Sequence, residues 1–178
     1  MSGSRHTPLH IHGWTVFAHP LFLAQLEALT QQVEMLKQKD PSGYVTKNAT
    51  KRLAAITTLA FDVIPQEPAR PEYRQGNALG EEHKHWFPAK FFQQYRLFSR
   101  YHAPSKVIVF AWVNDEDTKR AYESSDDAYR VFRKMLISRR SQLEVAEHVR
   151  PTISAEGLGR KFRKTRTPCQ PLQTSNHI

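Results

Sequence analysis

The chain has 178 residues, of which 26 are Lys or Arg and 17 are Asp or Glu, for a formal net charge of +9 and a pI of about 9.8. This length suits one domain with a short tail, and the basic balance favours a polyanionic partner. The single cysteine, Cys169, excludes an intramolecular disulfide framework and a thiolate zinc cluster. The sequence lacks a signal-like apolar start and the run of roughly 18 apolar residues needed to span a bilayer, so we expect a soluble cytoplasmic protein without membrane contact.

The positive charge is concentrated in the last third of the chain. Residues 127–178 hold 11 basic and 4 acidic side chains, and the run from Arg160 to Arg166 contains five cations. No apolar period is visible beyond Leu143. We therefore predict a folded domain over residues 1–140 and a basic tail over 141–178, which is either unstructured or ordered by a partner.

The first half of the chain predicts one strand and two helices. Residues 13–17 suit a short strand, and Pro20 suits the first turn of the helix that follows. Apolar residues then recur at helical steps of three and four in two stretches, first Phe22, Leu26, Leu29, Val33 and Leu36, then Ala49, Leu53, Ile56, Ala60 and Val63. The second helix should end at Ile64, because proline follows it. With the turn at 40–43, these stripes predict an αα-hairpin.

The middle of the chain predicts strands at residues 72–75, 86–92, 95–101 and 106–113. The short link at 102–105 indicates that the last two strands pair antiparallel. The 106–113 segment is apolar on both faces, which is typical of a central strand.

A last helix is predicted after Ser124–Asp127, which supply cap residues, and should fade near Arg139. Its inward-facing residues are expected to be Ala128, Val131, Phe132 and Met135. The predicted fold class is therefore α+β, with a twisted antiparallel sheet covered by the N-terminal αα-hairpin and a C-terminal helix.

The 95–101 strand carries the most informative pattern for function. Alternation places Arg96, Phe98 and Arg100 on one face, with the arginine Cα atoms about 13 Å apart at roughly 3.3 Å per residue. Long guanidinium side chains at this separation can contact successive phosphates. The alternative interpretation is that these arginines cover polar surface or pair with carboxylates.

Cations and aromatic rings are interleaved just before this strand. Lys84 and Lys90 flank Trp86, a mixture that single-stranded nucleic acid requires for phosphate contact and base stacking. The alternative is that Trp86 belongs to the core. Asn114 and Asp115 follow the central strand, in a loop position where functional groups often gather.

Two histidine pairs raise the possibility of a metal site. His10 with His12, and His83 with His85, have an alternate spacing that can place two imidazoles on one face of a strand. Neither pair has a carboxylate in a recognisable ligand pattern, so we expect no metal. A serine hydrolase elbow, a phosphate-binding P-loop and a dinucleotide fingerprint are also absent, and no cofactor is expected.

Several short segments occur in a specific order between residues 13 and 137. They are Gly13-Trp14 through Pro20, Val33-Glu34 through Pro41, Tyr95-Arg96-Leu97-Phe98 with Arg100-Tyr101, Trp112 through Glu116 with Thr118, Arg120 and Tyr122, and Asp127-Ala128-Tyr129 with Val131-Phe132 and Lys134-Met135-Leu136. Together they resemble the YhaV family of bacterial toxins, a branch of the RelE superfamily of toxin–antitoxin ribonucleases.

This resemblance implies a RelE-like compact fold and a metal-independent endoribonuclease that cleaves mRNA, in association with the ribosome. In such nucleases the RNA 2′-hydroxyl attacks the adjacent phosphorus, the 5′-oxygen leaves, and a 2′,3′-cyclic phosphate remains. The implied partners are a PrlF-like antitoxin and mRNA, with operator DNA contacted only through the antitoxin complex. The αα-hairpin and the sheet edges are candidate antitoxin contacts.

The resemblance also assigns candidate catalytic residues, with Arg96 matching the arginine that relatives direct at the scissile phosphate. Arg100 is a second clamp and Arg120 a further transition-state cation, while Tyr122 stacks on a base or assists proton transfer. The general base stays open, because arginine is protonated at any relevant pH and cannot serve. Its candidates are Lys90, Asp115, His83 and His85. Expected RNA contacts are Lys84, Trp86, Asn114, Tyr129 and Arg133.

Two other functions remain open. A non-catalytic nucleic-acid-binding module would also show a basic tail and interleaved aromatic residues. An inactivated toxin of the same fold is the other alternative, because members of the family it resembles carry a further basic residue between the positions of Trp86 and Lys90, where this chain has Phe87-Pro88-Ala89. Asn114-Asp115-Glu116 also stands where the superfamily has an arginine after the central strand.

Overall fold

The computed structural model describes residues 9–118 and 127–138, and these form an α+β structure with a five-stranded mixed sheet. The strands are β1 (Leu9–Ile11), β2 (Trp14–Ala18), β3 (Phe87–Phe91), β4 (Tyr95–His102) and β5 (Val107–Val113), and the helices are α1 (Pro20–Lys39), α2 (Asn48–Thr58), α3 (Ile64–Gln66) and α4 (Ala128–Ser138). No helix in the described part of the chain is long and apolar enough to cross a membrane. The predicted tail over 141–178 lies outside the described residues.

The sheet has the order β1-β2-β5-β4-β3, which confirms β5 as the central strand. The pairing of β4 with β5 is antiparallel, as predicted. The prediction of a purely antiparallel sheet is wrong, however, because β2 and β5 are parallel, with Val16 opposite Ile108. Parallel neighbours need a long crossover connection, and the chain between β2 and β5 supplies one that includes α1, α2 and the strands β3 and β4.

Strand β1 is not predicted by the sequence pattern. It pairs antiparallel with β2 through a two-residue turn at His12 and Gly13, whose φ angles are 48° and 80°. Positive φ at both central residues matches the twist of a tight hairpin. Three residues are too few to show an alternating pattern, so this strand is set by the turn and by its neighbour.

The prediction of a strand at residues 72–75 is also wrong, because Pro71–Tyr73 forms a 3₁₀ turn. Proline cannot donate to a sheet hydrogen bond, and the Arg74 N–H instead bonds to the Pro71 carbonyl at 3.0 Å. The buried Tyr73 side chain anchors the turn in the core.

The predicted apolar stripe of α1 is confirmed, with Phe22, Leu26, Leu29 and Val33 buried. Its N-terminus is capped by His19, whose Nδ1 accepts the Leu21 N–H at 3.1 Å.

The predicted end of the second helix at Ile64 is wrong. The chain passes from α2 through a π turn, Leu59–Val63, into α3, and Ile64 keeps helical angles of φ −64° and ψ −43°. Its N–H bonds to the Leu59 carbonyl five residues back, and this wider turn accommodates Pro65, which has no N–H to donate. The π turn also changes which side chain is buried: the helical pattern of apolar residues predicts Val63, but the structure buries Ile64 and leaves Val63 partly exposed.

The sheet separates two hydrophobic cores. The first core lies on the α1 and α2 side and includes Tyr95, Leu97 and Phe110. The second core lies on the α4 side, and its buried members are Leu79, Trp86, Phe98, Ala111, Trp112, Ala128, Phe132 and Leu136. A bulge in β5 pairs Phe98 with Trp112 but Ser99 with Phe110, so that Ala111 and Trp112 both reach the second core.

Helix α4 closes the second core with an aromatic stack. Asp127 caps the helix by accepting the Tyr129 N–H at 3.1 Å, as the cap residues predicted. Phe132 stacks on Phe98 at 4.2 Å between ring centroids and makes a T-shaped contact with Trp86 at 5.2 Å. Val131 and Met135, predicted to face inward, pack partly buried at the margin of this core.

Removing the Phe132 ring should destabilise the protein strongly. Phe132→Ala leaves a cavity between the sheet and α4, so we expect the free energy of unfolding in urea to fall by about 3–5 kcal/mol. Ile137→Ala on the same helix is the matched control, because Ile137 is 60% exposed, and should change it by less than about 0.5 kcal/mol. Equal losses in the two variants would contradict this description of the core.

Candidate active site

The α4 side of the sheet carries a row of cations, which we call the cationic face and define as Lys90, Arg96 and Arg100. Lys90 on β3 is the register partner of Arg96 on β4, so both side chains leave the sheet on the same side. Phe98 packs in the second core while Tyr95 and Leu97 pack in the first, which confirms that Arg96, Phe98 and Arg100 share a face.

Two like charges directly opposite each other destabilise a sheet unless an anion lies between them. Among the described residues, no carboxylate oxygen lies within 4.0 Å of the Lys90 ammonium or of the Arg96 guanidinium. The cross-strand pair is therefore not explained by an ion pair in this part of the chain, and its geometry suits a negatively charged ligand.

The Arg96 guanidinium is fixed in place by the backbone next to it. Its Nη1 donates to the carbonyl oxygens of Gln93 and Tyr95, both at 2.8 Å, and the residue is only 9% exposed. The Gln93 carbonyl belongs to the β3–β4 turn, where Phe92 and Gln93 have φ angles of 42° and 62°. These contacts fix the position of the guanidinium.

Asn114, predicted to contact RNA, is instead fully buried beneath Arg96. Its Oδ1 accepts the Arg96 N–H at 2.5 Å, and its Nδ2 donates to the carbonyls of Gln94 at 3.0 Å and Thr118 at 2.7 Å. An amide whose polar atoms are satisfied in the interior does not fit a direct RNA contact. Asn114 therefore positions the start of β4 and the loop after β5.

Asp115 lies exposed in that loop and shapes it. Its Oδ1 accepts the N–H groups of Asp117 and Thr118, both at 3.1 Å, and the Thr118 hydroxyl at 2.8 Å. One carboxylate oxygen of this general-base candidate is thus occupied by its own loop.

Trp86 is 3% exposed and lies in the second core, in a T-shaped contact with Phe132. This burial does not fit the predicted stacking on an RNA base, and the alternative interpretation of Trp86 as a core residue agrees with the structure. The Arg100 guanidinium lies 5.5 Å from the centroid of the Trp86 ring, as a cation over an aromatic face. Trp86 therefore positions one end of the cationic face.

His85 lies beside the same ring, with 5.8 Å between the His85 and Trp86 centroids and 6.3 Å between those of His85 and His83. Partial burial, followed by the nearby Arg100 charge and by His83, lowers the pKa of His85 below its usual 6.5. The neutral imidazole is thus favoured next to Arg100.

The other predicted RNA contacts lie at the margin of this surface, where acidic residues face them. Lys84 pairs with Glu81 at 2.5 Å, and Arg133 on α4 lies 3.6 Å from Glu82. Tyr129 is partly buried, with its ring edge-on to Phe98 at 5.6 Å. Arg120 and Tyr122 lie outside the described residues, so their catalytic roles remain predictions.

A second polar cluster, which the sequence did not indicate, lies on the opposite side of the sheet. The Tyr95 hydroxyl and the Asn48 amide both donate to Glu116 Oε1. Arg52 is 8% exposed, with Nη1 3.7 Å from Glu116 and the guanidinium 4.8 Å from the centroid of the Tyr95 ring. Burial and the hydrogen bond to Glu116 raise the pKa of Tyr95. This cluster ties the loop after β5 to α2.

The described part of the chain holds no group of three or more His, Cys, Asp or Glu that could bind a metal ion. His10 contacts Thr15 Oγ1 at 3.2 Å, and His12 Nε2 lies 3.6 Å from Asp62. The two imidazoles thus have different partners.

Comparison with known proteins gives a consistent result. Residues 16–142 match the model of the YhaV toxin family, described as a toxin with endonuclease activity, of toxin–antitoxin system. The chain is 44% identical over 131 residues to the ribonuclease toxin YhaV of Escherichia coli K12, an alignment that covers 72% of this chain and 85% of the relative. The toxin YhaV of E. coli O157:H7 matches with the same identity and coverage. No solved structure matches the chain significantly.

The family match extends over the strands of the cationic face, the loop after β5 and α4, and each alignment to the two curated relatives covers 72% of the chain. The segment resemblance noted in the sequence is confirmed by both. The chain therefore belongs to the YhaV family of toxins with endonuclease activity from toxin–antitoxin systems.

Proposed function

We propose that this chain is the toxin of such a pair and cleaves mRNA, in association with the ribosome, on the cationic face. The observation that carries the proposal is the cross-strand pair of Lys90 and Arg96, two cations with no carboxylate partner among the described residues. The phosphodiester backbone of RNA supplies the missing negative charge.

The proposed reaction begins with attack of an RNA 2′-hydroxyl on the adjacent phosphorus. Negative charge builds up on the phosphoryl oxygens as the P–O5′ bond breaks, and a 2′,3′-cyclic phosphate and a 5′-hydroxyl are the products. Cations held in position before the reaction stabilise this charge without reorganising. The two carbonyl contacts of Arg96 support such a role for its guanidinium.

The RNA strand would run along β4, from Arg96 to Arg100. Arg96 and Arg100 lie four residues apart on one face of β4, about 13 Å at roughly 3.3 Å per residue, and this separation suits contacts to successive phosphates. In-line attack requires the RNA strand to be held on both sides of the scissile bond. Because the three cations supply the positive charge, the proposal uses no metal ion.

The partner we propose is a PrlF-like antitoxin, with operator DNA contacted only through the toxin–antitoxin complex. Membership of a toxin–antitoxin family supports an antitoxin partner of some kind. We further propose that the helices α1 and α2 form the αα-hairpin of a RelE-like fold. This hairpin and the edge strands β1 and β3 are the candidate antitoxin contacts.

Replacing Arg96 should abolish most of the cleavage. Arg96→Ala removes one preorganised contact to the transition state, so we expect the cleavage rate of purified protein on mRNA, with and without ribosomes, to fall by roughly 10²–10³-fold.

Arg70→Ala is the matched control for Arg96→Ala, because Arg70 is already paired with Glu67 at 3.3 Å and Glu72 at 3.8 Å. This control should cleave at the wild-type rate. Equal cleavage by the Arg96 variant would contradict the proposed role of Arg96, and salt-sensitive binding by wild type without scission would favour a non-catalytic module.

Deleting residues 143–178 should weaken RNA binding and reduce its salt dependence. The deletion begins beyond the family match, which ends at residue 142, and removes the basic run from Arg160 to Arg166. Each phosphate contact that is lost lowers the slope of log affinity against log salt by about 0.7 for a single strand. A slope equal to that of the full chain, measured by fluorescence anisotropy, would contradict a role for the tail in RNA binding.

A further inference from the structure

We propose that His85 is the general base of the cleavage reaction and takes the proton from the attacking 2′-hydroxyl. This inference rests on the proposed function and assigns the proton acceptor that the cations of the site cannot supply. Four residues were candidates from the sequence, and their surroundings in the structure separate them.

The position of His85 is set by the end of β3. Phe87 pairs with Ser99, so the chain just before β3 runs alongside Arg100 and Tyr101 of β4. The Arg100 guanidinium and the His85 ring both contact the buried Trp86 ring, at 5.5 Å and 5.8 Å between centres. A buried indole at one end of the cationic face thus contacts both a cation and an imidazole.

The loop that carries His85 is tied down on its other side. Gln75 donates through Nε2 to the His83 carbonyl at 2.8 Å and accepts the Leu79 N–H on Oε1 at 2.6 Å. Leu79 is fully buried in the second core. The loop therefore presents His85 from a fixed backbone, as a general base within reach of one proton requires.

The charges around His85 favour its neutral form, which is the form that accepts a proton. Arg100 approaches from β4, and His83 lies next to it on its own loop. Beyond His83 come Glu82, 3.7 Å from the His83 imidazole, and Arg133 on α4, 3.6 Å from Glu82. Partial burial and the Arg100 charge both lower the pKa of His85, so the neutral base persists to lower pH than in a free histidine.

The other three candidates are occupied differently. Asp115 Oδ1 accepts three hydrogen bonds from its own loop, and the His83 Nε2 faces the Glu82 carboxylate. Lys90 lies opposite Arg96, where its positive charge contributes to phosphate binding. His85 is the candidate that combines a neutral ring with a position beside a phosphate-binding arginine.

The step balances without a further reagent. The 2′-oxygen transfers its proton to the His85 ring nitrogen and forms a bond to phosphorus, while the P–O5′ bond breaks with its electron pair moving to the 5′-oxygen. That oxygen takes a proton from water, and the His85 imidazolium returns its proton to the solvent. The products are a 2′,3′-cyclic phosphate and a 5′-hydroxyl.

The test is the pH profile of kcat/KM for cleavage of a defined RNA oligonucleotide by the full-length protein. The wild-type rate should rise with pH and level off below pH 6.5, because the pKa of His85 is lowered from that value. His85→Gln should cleave roughly 10²–10⁴-fold more slowly than wild type while keeping its RNA affinity. Its rate should also lose the acidic limb of the profile, which is the fall in rate at low pH. Added imidazole should restore part of the activity of His85→Ala.

His102→Gln is the matched control. His102 lies exposed at the β4–β5 hairpin, where its Nδ1 is 2.9 Å from the Ser105 hydroxyl, and the variant should keep the wild-type profile. If His85→Gln cleaves at the wild-type rate with the wild-type acidic limb, the inference is overturned and the proposed function stands. If wild type binds the RNA but does not cleave it at any pH, the proposed function falls, and this inference falls with it.

Discussion

The candidate site depends on a pair of like charges that lie opposite each other, Lys90 on β3 and Arg96 on β4. A sheet does not favour this pairing, and here it is kept by the buried Asn114 amide and by two backbone carbonyls that fix the Arg96 guanidinium. These hydrogen bonds hold Arg96 in place opposite Lys90, and under the proposed function the two cations share a phosphate of the RNA. The rest of the fold can be understood as the support of that arrangement.

The second core provides this support from the other end of the cationic face. Phe132 of α4 packs against Phe98 and Trp86, and the Trp86 ring in turn carries Arg100 and His85. Helix α4 thus acts on the site through aromatic packing. On the opposite side of the sheet, the Glu116 cluster anchors the loop that follows β5, and that loop begins with Asn114.

The sequence predicted the elements whose own residues define them, such as α1, the central strand β5 and the shared face of Arg96 and Arg100. It failed where a distant partner decides the structure. The parallel pairing of β2 with β5 depends on a crossover, and the π turn before Pro65 depends on how the chain accommodates a missing donor. At the site, residue type identified the cations, but the burial of Trp86 and Asn114 follows from packing by α4 and by the β3–β4 turn, which local pattern does not contain.

The most direct measurement of the central claim is the chemistry of the RNA ends produced by the purified protein. Mass spectrometry of the fragments from a defined oligonucleotide should show a 2′,3′-cyclic phosphate on one fragment and a 5′-hydroxyl on the other. An oligonucleotide with a 2′-deoxy sugar at the cleaved position should remain intact, because the nucleophile is missing. A 3′-hydroxyl with a 5′-phosphate, or cleavage of the deoxy substrate, would show that the attacking group is not the RNA hydroxyl and would contradict the account.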